Sequence, residues 1–206
     1  MRRVTLAAAL AGLLLAGSST PAGAQHDSRW ALQLSVGRDA FGGASLDSVT
    51  VPSVEVEVVP APRLAMELGL SRTMGAWEAA VSGGYSSGNL RAVTQDVAVD
   101  DRSGGIRRYR VALTVSRRIA SFSPGSVHAV AGPVFDRWES SDLGGHSVWG
   151  GRMGAVLRFA LGRASIENAV LFTLGGSPFD QHALPSGVVL RSLRTWSVAA
   201  GIRYRL

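Results

Sequence analysis

The chain has 206 residues, 46% hydrophobic and 17% charged, with 21 basic side chains, all of them arginine, 15 acidic ones, no cysteine and a formal charge of +6. The lack of cysteine excludes disulfides, thiolate metal centres and a cysteine-linked lipid anchor. The arginines are scattered singly or in pairs rather than gathered on one recognisable module, which argues against nucleic-acid binding.

The chain opens MRRVTLAAALAGLLLAGSSTPAGAQ. Arg2 and Arg3 form a positive start, Val4 to Ala16 an apolar stretch too short to span a bilayer, and Ala22-Gly23-Ala24 a small-x-small cleavage site. This pattern predicts an export signal over 1–24 and one domain over 25–206. Loss of Arg2 and Arg3 lowers the formal charge to +4. Mean hydropathy is +0.18, yet no later stretch has the roughly 20 consecutive apolar residues of a membrane helix. Two classes remain, a soluble exported β-sandwich and a membrane β-barrel.

Period-two alternation then recurs along the chain, the signature of strands with two unlike faces. The predicted strands are Trp30–Arg38, Arg63–Arg72, Ala76–Ser86, Arg107–Ile119, Ser126–Trp138, Val148–Leu161, Ala164–Leu174 and Arg194–Leu206. In the last, Trp196, Val198, Ala200, Ile202, Tyr204 and Leu206 alternate with small, polar or arginine residues. Pro133 interrupts the fifth strand and predicts a bulge or a missing ladder bond. Asn168 falls on the apolar side of the seventh.

The connections alternate short and long. TMG, ASFSPG and Gly162-Arg163 are short, whereas Asp39–Pro62, Ser87–Ile106, Glu139–Ser147 and Gly175–Leu190 are longer. This is the asymmetry of an outer-membrane barrel with tight periplasmic turns and longer outer loops. Val54–Val59 and Ala92–Val99 also alternate. They read as extensions of hairpins, with ten strands as the alternative count if both span the membrane. The expected fold is therefore all-β, an antiparallel up-and-down transmembrane barrel of eight strands. The minor face is rich in Gly, Ala and Ser, which suits a narrow filled interior better than the wet face of a sandwich.

That parity places Glu67, Glu78, Glu167, Arg108, Arg110, Arg152, Arg158, Arg203 and Arg205 in the lumen. Confined charges must pair, so guanidinium–carboxylate contacts across the interior are expected. Trp30, Trp77, Tyr85, Tyr109, Trp138, Trp149, Trp196 and Tyr204 cluster near strand ends as aromatic girdles at the two membrane interfaces.

With its leader, its strand rhythm over Trp30–Leu206 and its terminal strand, the chain resembles the small outer-membrane β-barrel superfamily of OmpA/OmpX-like type. The resemblance implies a monomer in the bacterial outer membrane, reached through the periplasm. It also implies outer-membrane lipid and lipopolysaccharide as surroundings, and a terminal signal read by the barrel assembly machinery. That signal maps onto Leu206, Tyr204 and Ile202, with Leu206 standing where members typically carry a terminal aromatic.

The architecture implies location rather than activity. The expected role is structural or surface-interacting, with a narrow solute pore as the alternative. An enzyme is not expected. Barrels that deacylate lipid A use a His followed two residues later by a Ser. Here His146 and Ser147 are adjacent, and Ser126 precedes His128 in the reverse order. Asp180-x-His182 is an isolated pair. The four histidines have no metal-ligand spacing and no phosphate-loop motif is present, so no metal or cofactor is expected. The loop segments Asp100–Arg110, Ser140–His146 and Gly175–Gly187 are polar and Gly-rich, and Phe179 is read as exposed.

Overall fold

The structure, a computed structural model, describes residues 29–43, 45–47, 56–93, 98–140, 144–180 and 188–206. The predicted leader at 1–24, His26, His182 and segments 48–55, 94–97, 141–143 and 181–187 lie outside these.

Eight long strands form the trunk: β1 (Trp30–Gly42), β4 (Arg63–Met74), β5 (Trp77–Val93), β6 (Ala98–Phe122), β7 (Gly125–Ser140), β8 (Gly144–Leu161), β9 (Ala164–Gly175) and β11 (Leu193–Arg205). Each pairs antiparallel with its neighbours, and β1 pairs with β11, so the ring closes. Three short strands, β2 (Ser45–Asp47), β3 (Val56–Pro60) and β10 (Val188–Leu190), continue one edge as a small ladder that joins the far end of β5. The described parts of the segments that raised a ten-strand count are therefore hairpin extensions. Glu57–Pro60 pairs with Leu90–Val93, and Ala92 and Val93 pair with Val99 and Ala98.

One end of the ring carries tight turns. Gly75 (φ 67°) and Gly162 (φ 65°) adopt the left-handed conformation that two-residue hairpins require. The opposite end carries the long connections. We call these the turn end and the loop end.

Burial runs opposite to that of a soluble protein. Leu64 and Trp149 are each 70% exposed on the outer face, whereas Ser71 and Ala112 facing inward are 1% exposed. Outward positions are mostly large and apolar, and inward ones small, polar or charged. A row of exposed Leu, Val and Met side chains is costly in water and favourable in hydrocarbon. Asn168 sits on this outer face, as its parity requires. Leu113 lies midway along the apolar belt and is 56% exposed. Leu113→Arg will destabilise the refolded barrel by about 2–4 kcal/mol, the cost of a cation at mid-bilayer depth, read as a lower urea midpoint in lipid vesicles.

The β6–β7 ladder is interrupted where Pro133 lies. Ala112 pairs with Val134 and Val115 with Ala131, but Leu113 and Thr114 have no ladder partners opposite Pro133 and Gly132. A register shift follows between Arg118 and Ala120. Gly132 permits the strands to approach closely there, since a Cβ on it would lie 2.0 Å from the Leu113 carbonyl oxygen.

The conventional apolar core is not in the middle of the barrel. Val59, Ile106, Trp138, Val148, Phe179 and Leu193 pack together at the loop end, flanked by Phe41, Val58, Leu90, Val93 and Leu190. Two sequence expectations are corrected here. Trp138 is 1% exposed and points inward, not into a membrane girdle, and Phe179 is 3% exposed rather than displayed on a loop. The cluster forms a hydrophobic plug at the loop end of the ring.

Candidate functional site

Strand parity points charged side chains into the lumen, where they meet in three layers. Nearest the loop end, Arg108 bridges two carboxylates, with Nη1 2.9 Å from Asp39 and Nη2 2.8 Å from Asp136. Arg110 adds a fork on Asp136, with Nε to Oδ1 at 2.8 Å and Nη2 to Oδ2 at 3.0 Å. Arg110 and Asp136 are direct cross-strand neighbours. Ser197 donates its hydroxyl proton to Asp39 at 2.6 Å. Beneath the plug, the Arg108 and Arg63 guanidinium groups lie 5.0 and 5.5 Å from the Trp138 ring centre. Both also lie close to the Phe41 ring. Arg63 donates Nη1–H to the Ile106 carbonyl at 3.0 Å, and its Nε and Nη2 have no hydrogen-bond partner among the described residues. The aromatic faces are the main partners of this buried cation.

The middle layer is a single bidentate pair. Arg152 on β8 reaches Glu67 on β4 at 2.9 and 3.0 Å, and Ser82 donates to the same carboxylate at 2.7 Å. β4 and β8 stand on opposite sides of the ring, so this pair spans the lumen.

The third layer lies toward the turn end. Arg158 Nε is 2.6 Å from Glu167, its cross-strand neighbour, and Arg158 also reaches Glu78 at 3.2 and 3.3 Å. Arg203 donates to Glu78 at 2.7 Å, and Gln33 to Glu167 at 2.6 Å. Thr73 and Ser71 complete the contacts of Arg203. Charge-assisted bonds of this kind offset much of the cost of holding ions away from water.

Eight of the nine charges assigned to the lumen thus stand in these layers. Arg205 does not. It is exposed at the turn-end mouth, where Nη2 donates to the Gly162 carbonyl at 2.7 Å. Sequence reasoning missed Asp39, Asp136 and Arg63, all 4–5% exposed. Inward parity would have found Asp136, two positions before Trp138. Asp39 was read with the connection that follows the first strand, and Arg63, the first residue of the second predicted strand, was not assigned to the lumen.

Trp30, Trp77, Tyr85, Tyr109, Trp149, Trp196 and Tyr204 are all exposed on the outer face. Trp30, Trp77 and Tyr204 ring the turn end, with Arg72 over Trp30 at 5.4 Å and Arg117 over Trp77 at 5.3 Å. Toward the loop end, Tyr85 stacks with Tyr109, Trp149 with Phe135 and Trp196 with Phe172. Ile202 and Leu206 are exposed, and the Leu206 amide donates to the Trp30 carbonyl at 3.1 Å.

Two cavities lie along the axis. One of about 110 Å³ occupies the central lumen and is lined by residues including Gln33, Glu67, Ser82 and Arg152. The other, about 210 Å³, sits at the turn end. Glu78, His128 and Arg158 border both. His128 Nε2 is 3.0 Å from the Ser126 hydroxyl, while Nδ1 has no partner among the described residues. The two side chains are therefore brought together, with no carboxylate hydrogen-bonded to the far ring nitrogen. No group of three or more His, Cys, Asp or Glu among the described residues could hold a metal ion.

No family model and no curated protein matches the chain. Solved structures do. Neisserial surface protein A superposes with a TM-score of 0.58 at 10% identity, over 87% of this chain and 98% of that one. The outer membrane protein OprG from Pseudomonas aeruginosa superposes with a TM-score of 0.56 at 11% identity, over 86% of this chain and 95% of that one. The fold is that of the small eight-stranded outer-membrane β-barrels. At such identities the likeness is one of architecture. Within that fold, the lumen of this barrel is crossed by arginine–carboxylate layers and has a buried apolar cluster at its loop end.

Proposed function

We propose that the protein is an integral outer-membrane barrel with a structural or surface-interaction role and a closed interior. It reaches the outer membrane through the periplasm and stands there as a monomer, with the turn end periplasmic and the loop end facing outward. Outer-membrane lipid surrounds the apolar belt, and lipopolysaccharide meets the loop-end girdle, where Arg107 and Arg137 are exposed. The outward pattern Ile202, Tyr204, Leu206 is the element offered to the barrel assembly machinery.

The observation that carries this reading is the filled axis. An apolar plug and three ionic layers occupy a lumen whose central cavity is only about 110 Å³. The test is planar-bilayer conductance of the refolded chain. A silent wild type is expected. Discrete, reproducible wild-type channels would overturn the closed reading in favour of a narrow pore.

One observation favours that second reading. Between the central cavity and the turn-end cavity stands the single layer of Glu78, Glu167, Arg158 and Arg203. Glu78→Gln with Glu167→Gln removes both carboxylates from it and leaves the two arginines facing each other. The double variant is expected to conduct or to lose stability, and a variant unchanged in both would remove the layer from the account. We assign the Ser126–His128 pair no hydrolytic role, because among the described residues no carboxylate orients the imidazole as a general base requires. Lipid A masses from cells making the protein are expected to match those of cells without it.

A further inference from the structure

The turn-end cavity carries chemistry that neither the barrel scaffold nor the axial layers explain. Arg118, Arg158, Arg203 and Arg205 line it, together with His128, Ser126, Ser165 and Thr73, and Glu78 is the one carboxylate in the wall. Arg158 and Arg203 are already matched by Glu78 and Glu167. Among the described residues, Arg118 and Arg205 are not matched. Arg118 pairs in register with His128, is exposed, and has no carboxylate within ion-pair distance. Arg205 gives one N–H to a backbone carbonyl and has no carboxylate partner among them. Two guanidinium groups, an imidazole and the Ser126, Ser165 and Thr73 hydroxyls thus surround a concave space that has a surplus of positive charge.

We propose that this vestibule binds a phosphate-class oxyanion, with Arg118 and Arg205 as its principal charge partners and the hydrogen-bonded Ser126–His128 pair supplying one further donor. Guanidinium groups present paired N–H donors matched to phosphate oxygens. The cavity, about 210 Å³, is smaller than the roughly 300–1,000 Å³ of sites for drug-sized ligands, so it suits a phosphate or a phosphate monoester head rather than a larger solute. The same chemistry could come from a free phosphate or from the headgroup of an anionic phospholipid in the adjoining leaflet. Two further arginines, Arg72 and Arg117, sit on girdle tryptophans at this end and would draw such headgroups to it.

The test uses the full refolded chain. Inorganic phosphate and glycerol phosphate are titrated calorimetrically against the protein in zwitterionic micelles. In parallel, phosphorus NMR reads lipid retention in phosphatidylcholine nanodiscs with and without phosphatidylglycerol. Saturable one-site binding of the free anions assigns the site to a solute. Selective retention of phosphatidylglycerol alone assigns it to the lipid headgroup. Either supports the proposal. In Arg118→Gln with Arg205→Gln the affinity falls at least about tenfold for each charge-assisted bond lost, and the Arg→Lys pair recovers part of it. Both vestibule arginines are exposed, and heat-modifiable mobility verifies that the variants fold. Absence of saturable binding in both formats, or wild-type affinity in the Arg118→Gln, Arg205→Gln variant, overturns the proposal.

Discussion

Asp136→Ala will lower the stability of the folded barrel by about 3–5 kcal/mol, the cost of breaking a buried ion pair by removing one partner. Asp136 accepts hydrogen bonds from Arg108 and from both arms of the Arg110 fork, and all three residues are at most 6% exposed. Without it, Arg108 retains Asp39, but Arg110 is left as an uncompensated buried cation. Removing that cation as well, in Asp136→Ala with Arg110→Met, will restore most of the loss, because an apolar replacement of a whole buried pair is close to neutral. Urea unfolding of the refolded protein in micelles measures both. A single-variant loss below about 1 kcal/mol, the range of exposed ion pairs, would mean that this layer is hydrated and contributes little to holding the ring.

Gly132→Val will prevent the trunk from closing. The added Cβ would sit 2.0 Å from the Leu113 carbonyl oxygen and 2.8 Å from the Thr114 Cα. Both are backbone atoms of the neighbouring strand and cannot swing aside. The β6–β7 ladder already lacks pairs at this point, so further separation would open the sheet along its length. Gly151→Val is the matched control. It lies on the adjacent strand opposite Pro133 and has open space around its Cβ position. Refolding into vesicles followed by gel mobility without heating separates the two. Gly151→Val should migrate as the folded form and Gly132→Val should not. Folded mobility for Gly132→Val would show that the ladder can widen locally at little cost.

The trunk was legible because alternation is a local property. In β8 and β11, large apolar residues and small or charged ones alternate almost without a break, and the observed strands start and stop within a few residues of the expected ones. β7 was harder to read. Its outward positions Ala129, Ala131 and Pro133 are small or interrupted, so the outer face did not stand out. Trp138 was then assigned by residue type to a girdle, although its parity points inward. Asp39 belongs to a strand that runs further toward the loop end than the predicted one, and Arg63 is the loop-end residue of its strand. Their roles depend on partners at 108 for Asp39 and at 106 and 138 for Arg63, which only the closed ring brings near. Phe179 is buried by the way a loop folds back on the barrel, and no periodic signal encodes that. The pairing of Glu67 with Arg152 illustrates the same limit. Parity put both side chains inside, and only the ring order put them opposite each other.

The seam between β1 and β11 has a kinetic consequence. Its twelve residue pairs run from Ala31↔Arg205 to Gly42↔Arg194, so the ladder that closes the ring joins the most distant parts of the described chain. The other trunk ladders join strands that follow one another, several through two-residue turns. Sequence separation of this size makes contact order high and closure slow. Hairpins can form early, but the last step must wait until both flanking strands are in place. During that wait β1 and β11 each present an unsatisfied backbone edge, competent to pair with another copy of the chain. Refolding yield should therefore fall with protein concentration more steeply than hairpin formation alone would predict, and the vulnerable species is the open, nearly complete sheet.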